Sequence, residues 1–159
     1  MRARPARDGE PRPPWCTGAA RFEADVERSS SRFKLIVGTR CRFGKDGIVI
    51  PALFDTAAEW SLIGGDIAEA LEEEAEYDGW EMSMDTRFGK VHCRLHRLDV
   101  TLVADEGEDL RVASSVLLSS DWEGPPVLGY RGFLERIRFG LDPGDYDRHD
   151  QWFFFGRTS

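Results

Sequence analysis

Apolar and polar positions alternate along most of this chain with a period of two, the pattern of half-buried strands. Phe33 to Val37 reads as a first strand continued by Thr39 to Phe43. Lys45-Asp46-Gly47 makes a turn, and Ile48 to Phe54 returns as the second arm of a hairpin. Pro51 has no N–H to give to a ladder, so that arm is expected at an edge or a bulge where it passes. Trp80 to Met84, Val91 to Val103, Leu110 to Leu118, Ile137 to Asp142 and Trp152 to Gly156 supply further strands. In the longest, Leu98, Val100 and Leu102 alternate with Asp99 and Thr101.

The period changes to that of a helix in one place. Gly64-Gly65 breaks the chain, Asp66 has N-cap chemistry with Glu69 three residues later, and Ala68, Ala70, Leu71 and Ala75 carry a helix to about Tyr77. Glu72-Glu73-Glu74 reads as its solvated face, and Asp78-Gly79 ends it. Residues 1–30 hold Arg2, Arg4, Arg7 and Arg12 among Pro5, Pro11, Pro13 and Pro14, the composition of a basic, flexible tail, with order beginning near Phe22 or Phe33. Residues 31–159 then form one mainly β domain.

Composition narrows the function classes. The chain has 159 residues, 41% of them hydrophobic and 31% charged, enough for one domain with its own core. A net charge of −8 argues against nucleic-acid binding driven by phosphates. No apolar run approaches the roughly 20 residues that span a bilayer, and the N-terminal arginines precede no apolar core of a secretory signal, so a cytoplasmic location is expected. Cys16, Cys41 and Cys93 are widely spaced and form neither a metal-ligand pattern nor a disulfide framework. His92 and His96 would share a face of a helix, but their segment reads as extended and lacks supporting ligands, so no metal site is expected there.

One stretch stands out chemically. The apolar run Ile48-Val49-Ile50-Pro51-Ala52-Leu53-Phe54 leads directly into Asp55, followed by Thr56, Ala57, Ala58, Glu59, Trp60, Ser61, Leu62 and Ile63. A carboxylate at the end of a core strand needs hydrogen bonds or a function. It either opens a turn, accepting backbone N–H groups two residues on, or is a reactive group displayed on a loop.

The segment resembles the active-site loop of the retroviral-type aspartic proteases, the retropepsins. Asp55, Thr56, Ala58, Ser61, Leu62 and Ile63 fit that loop. Ala57 stands where the family has Gly, a residue that admits close approach of substrate backbone. Pro126-Val127-Leu128-Gly129, followed by Tyr130-Arg131-Gly132-Phe133-Leu134-Glu135-Arg136, resembles the second family signature, two apolar residues and a Gly before a short helix. Viral members place an Arg directly after that Gly. Here Tyr130 intervenes, and Arg131 is the residue that would reach Glu59.

The resemblance covers about residues 33–156 and implies a closed or partly closed β-barrel half-enzyme, with one helix after the catalytic loop and a short helix after the second signature. It implies a homodimer in which each chain gives Asp55 to a shared dyad that hydrolyses a peptide or protein substrate and requires no metal or cofactor. Thr56, Ala57, Ala58 and Ser61 would support the loop, Val127, Leu128 and Gly129 would lie beneath it, and the hairpin 82–94, with Phe88 and Gly89 near its tip, would be the flap. Two alternatives remain: a catalytically weak or inactive dimerisation or peptide-binding module of the same fold, and a PilZ-type barrel binding cyclic di-GMP. The latter rests on Arg28 and Arg32 followed by Glu59, Ser61 and Gly64, with Glu59 in place of the usual Asp or Asn.

Overall fold

The computed structural model describes residues 12–24, 37–47, 49–86, 89–144 and 151–158. Its strands are β1 (Gly18–Arg21), β2 (Glu23–Ala24), β3 (Val37–Phe43), β4 (Val49–Phe54), β5 (Ser61–Gly64), β6 (Glu76–Thr86), β7 (Gly89–Leu102), β8 (Glu106–Gly107), β9 (Leu110–Ser119), β10 (Val127–Leu128), β11 (Ile137–Asp142) and β12 (Trp152–Arg157). One α-helix, α1 (Gly65–Glu72), follows β5, and a single 3-10 turn spans Leu134–Arg136. The expected mainly β class, with one helix after the Asp55 loop and a short one after Gly129, is what the chain adopts.

Eight strands pair in the order β2-β3-β4-β10-β5-β9-β7-β6, and a further pairing of β3 with β7 closes six of them, β3 to β7 through β9, into a barrel. Closure removes the free edges that an open sheet of this length would expose. Aromatic and branched side chains from the barrel strands, among them Phe43, Ile63, Val100, Leu102 and Leu118, fill its interior with Phe133, Leu134, Phe153 and Phe155. Burying each such side chain contributes about 1.5–3 kcal/mol. Pro51 lies opposite Arg40 of β3, while β10 reaches only Leu53 and Phe54 on the other side. Its missing N–H therefore faces no partner strand, as expected.

A second sheet, in the order β11-β12-β1-β8, overturns part of the expected tail. Gly18 to Arg21 pair antiparallel with Phe155 to Trp152, and Ala19, Ala20 and Phe22 are buried. Pro and Arg dominate the composition around this segment, but its small apolar run suffices to form a strand once β12 offers an edge. The acidic turn after β7 becomes β8 against β1, and Asp105 accepts the Arg21 N–H at 2.8 Å and the Arg40 guanidinium at 2.7 Å. The remaining tail residues, 1–11 and 25–30, and the start of the first expected strand, 33–36, lie outside the described residues.

The helix is also shorter than its periodicity predicts, ending at Glu72, and Glu76 to Gly79 join β6 instead. Three glutamates at the helix C-terminus oppose its dipole, and its last turn carries no basic residue. Leu71 O accepts the N–H groups of both Glu74 and Ala75, closing the turn. Asp66 sits in the first turn rather than at the cap, where Gly64 stands without a side-chain hydrogen bond. Glu74, expected on a solvated face, accepts the Lys45 N–H at 2.7 Å and so ties the β3–β4 turn to the helix end. Among the described residues no helix is long and apolar enough to cross a membrane.

Candidate functional site

The Asp55 loop joins β4 to β5, and these two strands do not pair with each other. β10 lies between them, parallel to β4 (Val127 opposite Leu53, Leu128 opposite Phe54) and antiparallel to β5 (Val127 opposite Leu62). The two stretches singled out in the sequence are therefore threaded through one another. Leu53 donates its N–H to Pro126 O at 2.8 Å, and Asp55 donates its N–H to Leu128 O at 3.1 Å. Beyond β10 the second stretch keeps company with the far side of the loop: Tyr130 N–H donates to Ala58 O at 2.9 Å and Arg131 N–H to Glu59 O at 2.7 Å. Gly129 N–H donates to the buried Ser61 hydroxyl at 3.0 Å.

Gly129 sits where nothing larger fits. A Cβ there would lie 2.5 Å from Trp60 C and O and 2.8 Å from Ala58 O. Close backbone approach, not a positive φ, is the reason for this glycine.

Within the loop, Asp55 is exposed at the end of β4. Its carbonyl accepts the Ala58 N–H at 3.1 Å, and its Oδ1 accepts the Ala57 N–H at 2.9 Å. The carboxylate thus closes the turn that its residue type favours while standing on the surface. Thr56 and Ala57 form the exposed turn, and Ala58 is half-buried beneath it. Arg131 reaches Glu59 despite the intervening Tyr130, with Nε 3.4 Å from Glu59 Oε1, and its guanidinium lies over the Trp60 ring at 5.8 Å. Both charged groups are more than half exposed, so this pair contributes little to stability.

The hairpin of β6 and β7 stands where the flap was expected. Gly89 is exposed at its tip with φ +114°, and Thr86 Oγ1 donates to Gly89 O at 2.8 Å. Phe88 lies outside the described residues. One face of the hairpin, formed by Met82, Met84, Val91, Cys93 and Leu95, packs with Leu62, Leu117 and Trp122, and with Trp60 and Val127, into a second apolar cluster. A bulge between Tyr77 and Glu81, with Gly79 at φ +81°, brings Trp80 to 5.7 Å from the Trp60 ring. Trp60 and Trp80 were not singled out in the sequence. Trp80 follows the turn dipeptide Asp78-Gly79, which marks the bulge only once the strand through it is known.

On the opposite face of the hairpin, Glu81 gathers three donors: Tyr77 OH at 3.2 Å, Arg94 Nε at 3.1 Å and His92 Nε2 at 3.3 Å. The Tyr77 hydrogen bond, ahead of the Arg94 charge and the His92 ring, holds the Glu81 carboxyl below the usual range. His92 and His96 belong to this strand face, and His96 Nδ1 lies 3.0 Å from Arg94 O. Among the described residues no three His, Cys, Asp or Glu are grouped to hold a metal ion. The three cysteines are free thiols, and burial pushes those of Cys41 and Cys93 up from their ordinary value.

A cleft of about 790 Å³ opens beside the loop, between Trp60 and Arg131 on one side and Arg97, Asp99 and Ser115 on the other. Asp55 does not line it. Its charges are engaged internally: Arg97 with Asp78, and Asp99 with Arg111. The cleft therefore borders the loop without containing its carboxylate, and the candidate chemistry stays with the exposed Asp55. Of the rival cyclic di-GMP signature, Arg28 and Arg32 lie outside the described residues, Ser61 is buried on Gly129, and Glu59 is engaged by Arg131.

No protein-family model matches the chain, and no curated protein matches it. Among solved structures, the chain is similar to a retropepsin-like aspartic protease from Rickettsia conorii, with a TM-score of 0.49 and 15% sequence identity, over 86% of this chain and 95% of that one.

Proposed function

We propose that the chain is one half of an aspartic-type endopeptidase, active as a homodimer in which each copy contributes Asp55. The observation that carries this reading is the threading of β10 between the two arms of the Asp55 loop, with Gly129 bonded to Ser61. Backbone hydrogen bonds on both sides hold the turn, so the exposed carboxylate stands on a rigid base. Pre-positioning of this kind is what general acid–base chemistry requires.

A second copy related by a two-fold axis would set the two Asp55 carboxylates side by side. Two adjacent carboxylates cannot both ionise cheaply, so the pair shares one proton. The ionised member takes a proton from a water molecule held between them. The protonated member donates to the oxygen of the scissile carbonyl as the water oxygen bonds to its carbon. The C–N bond of the resulting tetrahedral intermediate then breaks, with proton transfer to the leaving amine. The chain's own residues supply every proton transfer in this scheme. Thr56 and Ala57, on the exposed turn, face the substrate side and the partner loop, and the β6–β7 hairpin covers an extended peptide.

One observation favours a second reading. Asp55 Oδ1 is taken by the Ala57 N–H, and Ala57 itself narrows the approach of a substrate backbone. These fit a weak or inactive dimerisation or peptide-binding module of the same fold.

The test is cleavage of a mixed peptide library between about pH 3 and 7, across which a shared carboxylate pair loses its second proton, comparing the wild type with Asp55→Asn. Cleavage by the wild type and its loss in the variant support the peptidase. Absence of cleavage in both, with retained peptide binding, supports the module.

A further inference from the structure

We infer that the cleft beside the Asp55 loop is an accessory site for an acidic side chain of an extended peptide, with the guanidinium groups of Arg97 and Arg131 as its recognition elements. The inference deepens the peptidase reading by naming a preferred class of substrate, polypeptide segments rich in Glu or Asp, and rests on that reading for the ligand's being a substrate.

The cleft, about 790 Å³ in volume, is of the size of a ligand site and continues the packed face of the β6–β7 hairpin. Val91, Cys93 and Leu95 leave β7 on that face and belong to the second apolar cluster. By strand alternation Arg97 and Asp99 follow on the same face, where they line the cleft. Trp60 and Leu95 take part in both, packing in the cluster and lining the cleft. A peptide that lies extended under the hairpin and passes over Trp60 therefore delivers its next residues there. The walls are firm. Ser115 N–H donates to Gly132 O at 3.0 Å, and Arg136 donates to Ala113 O at 2.5 Å and to Ser115 Oγ at 3.2 Å, which ties the turn after Gly129 to β9.

Arginine dominates what the cleft shows to solvent. The Arg97 side chain is 60% exposed against 28% for its partner Asp78, and Asp99 is 24% exposed against 61% for its partner Arg111. Both acids are thus less than half as exposed as the guanidinium side chains that hold them. The third acid of the lining, Glu135, accepts the Gly132 N–H at 2.6 Å. Arg131 meets Glu59 through Nε at 3.4 Å and lies over the Trp60 ring, which leaves its terminal nitrogens for a ligand. A guanidinium beside an aromatic wall suits a carboxylate on an apolar stem, Glu above all. The chain carries a net charge of −8, so this mouth is a local exception that admits an acidic segment repelled elsewhere.

The experiment is fluorescence polarisation of a labelled, C-terminally amidated peptide of alternating Leu and Glu, beside its Gln and Lys counterparts. The full chain carries Asp55→Asn, so that no probe is cut. The Glu probe is expected to bind about fivefold tighter than the Gln probe, the worth of one well-formed exposed ion pair, and to lose that advantage at high salt. Arg97→Gln and Arg131→Gln are each expected to reduce the preference for Glu. Arg97→Glu is expected to turn it towards the Lys probe, a result that misfolding does not give. A Gln probe with a free C-terminus separates the sources of the carboxylate: tight binding of that probe alone overturns the side-chain assignment.

Equal binding of the Glu and Gln probes, or binding of neither, overturns the inference, as does a Glu preference indifferent to both arginine substitutions. Cleavage is read separately, in the chain with Asp55 intact. Cleavage with no preference for acidic peptides removes the cleft and leaves the peptidase. An arginine-dependent preference without cleavage removes the peptidase and leaves the cleft as a peptide site.

Discussion

The buried hydroxyl of Ser61 accepts the backbone N–H of Gly129 at 3.0 Å, across 68 positions of sequence, and so fastens the far arm of the Asp55 loop to the strand that runs between its two arms. Replacing Ser61 with Ala leaves that N–H buried without a partner. The expected cost is about 1–3 kcal/mol of stability, read from urea denaturation midpoints at unchanged slope. Cleavage, where present, is expected to fall by more than the folded fraction does, because the loop loses an anchor.

Gly129→Ala tests the same junction from the other side. Its methyl would press on the carbonyl of Trp60, which is backbone and cannot rotate away. The substitution is expected to cost about 1–3 kcal/mol, comparable to forcing extra carbon into a packed interior, and to displace the loop. Thermal unfolding gives the first quantity. A change in Trp60 fluorescence reports the second.

Glu81 gives the β6–β7 hairpin a dependence on pH. Its carboxyl titrates lower in the fold than in the unfolded chain, chiefly through the Tyr77 hydroxyl. The folded state therefore binds that proton less readily. Its stabilising contribution is complete above the unfolded value of about 4.3 and is lost as pH falls through the lowered folded value. The difference in melting temperature between the wild type and Glu81→Gln is expected to be larger at neutral pH than in strong acid. An equal difference at both would place the stabilisation outside the carboxylate's charge.

Phe22 separates a packed segment from a tail. It is 5% exposed and lies in the main core cluster. Phe22→Ala is expected to cost about 3–5 kcal/mol, the usual penalty for emptying a buried aromatic site. A substitution in a solvated tail would leave the unfolding transition where it was.

Strands with clean alternation were legible in the chain because their periodicity is local. Val100 and Leu102, and the aromatic run from Trp152 to Phe155, declare a buried face without help from any partner. The Asp55 turn was equally legible, since the carboxylate of an Asp reaches an N–H two residues on. The helix end was not. Ala75 and Tyr77 continue the helical spacing, and it is the pairing of Glu76 with Arg97 and of Tyr77 with His96 that draws the stretch into β6. Gly18 to Arg21 were misread for a related reason: a short run of small residues becomes a strand only when a distant edge is presented to it. Trp60 and Trp80 meet through a bulge, whose position depends on the register of two strands and not on either one alone.

The pairing of β1 with β12 also has a consequence for biosynthesis. Gly18 finds its partner in Phe155, far downstream in sequence. Residues around Ala19 and Phe22 leave the ribosome well before the strand that shelters them. Until then their apolar side chains have no finished sheet to enter, and contacts so far apart in sequence form slowly. A nascent polypeptide arrested before Trp152 would therefore present β1 to whatever strand or chaperone reached it first.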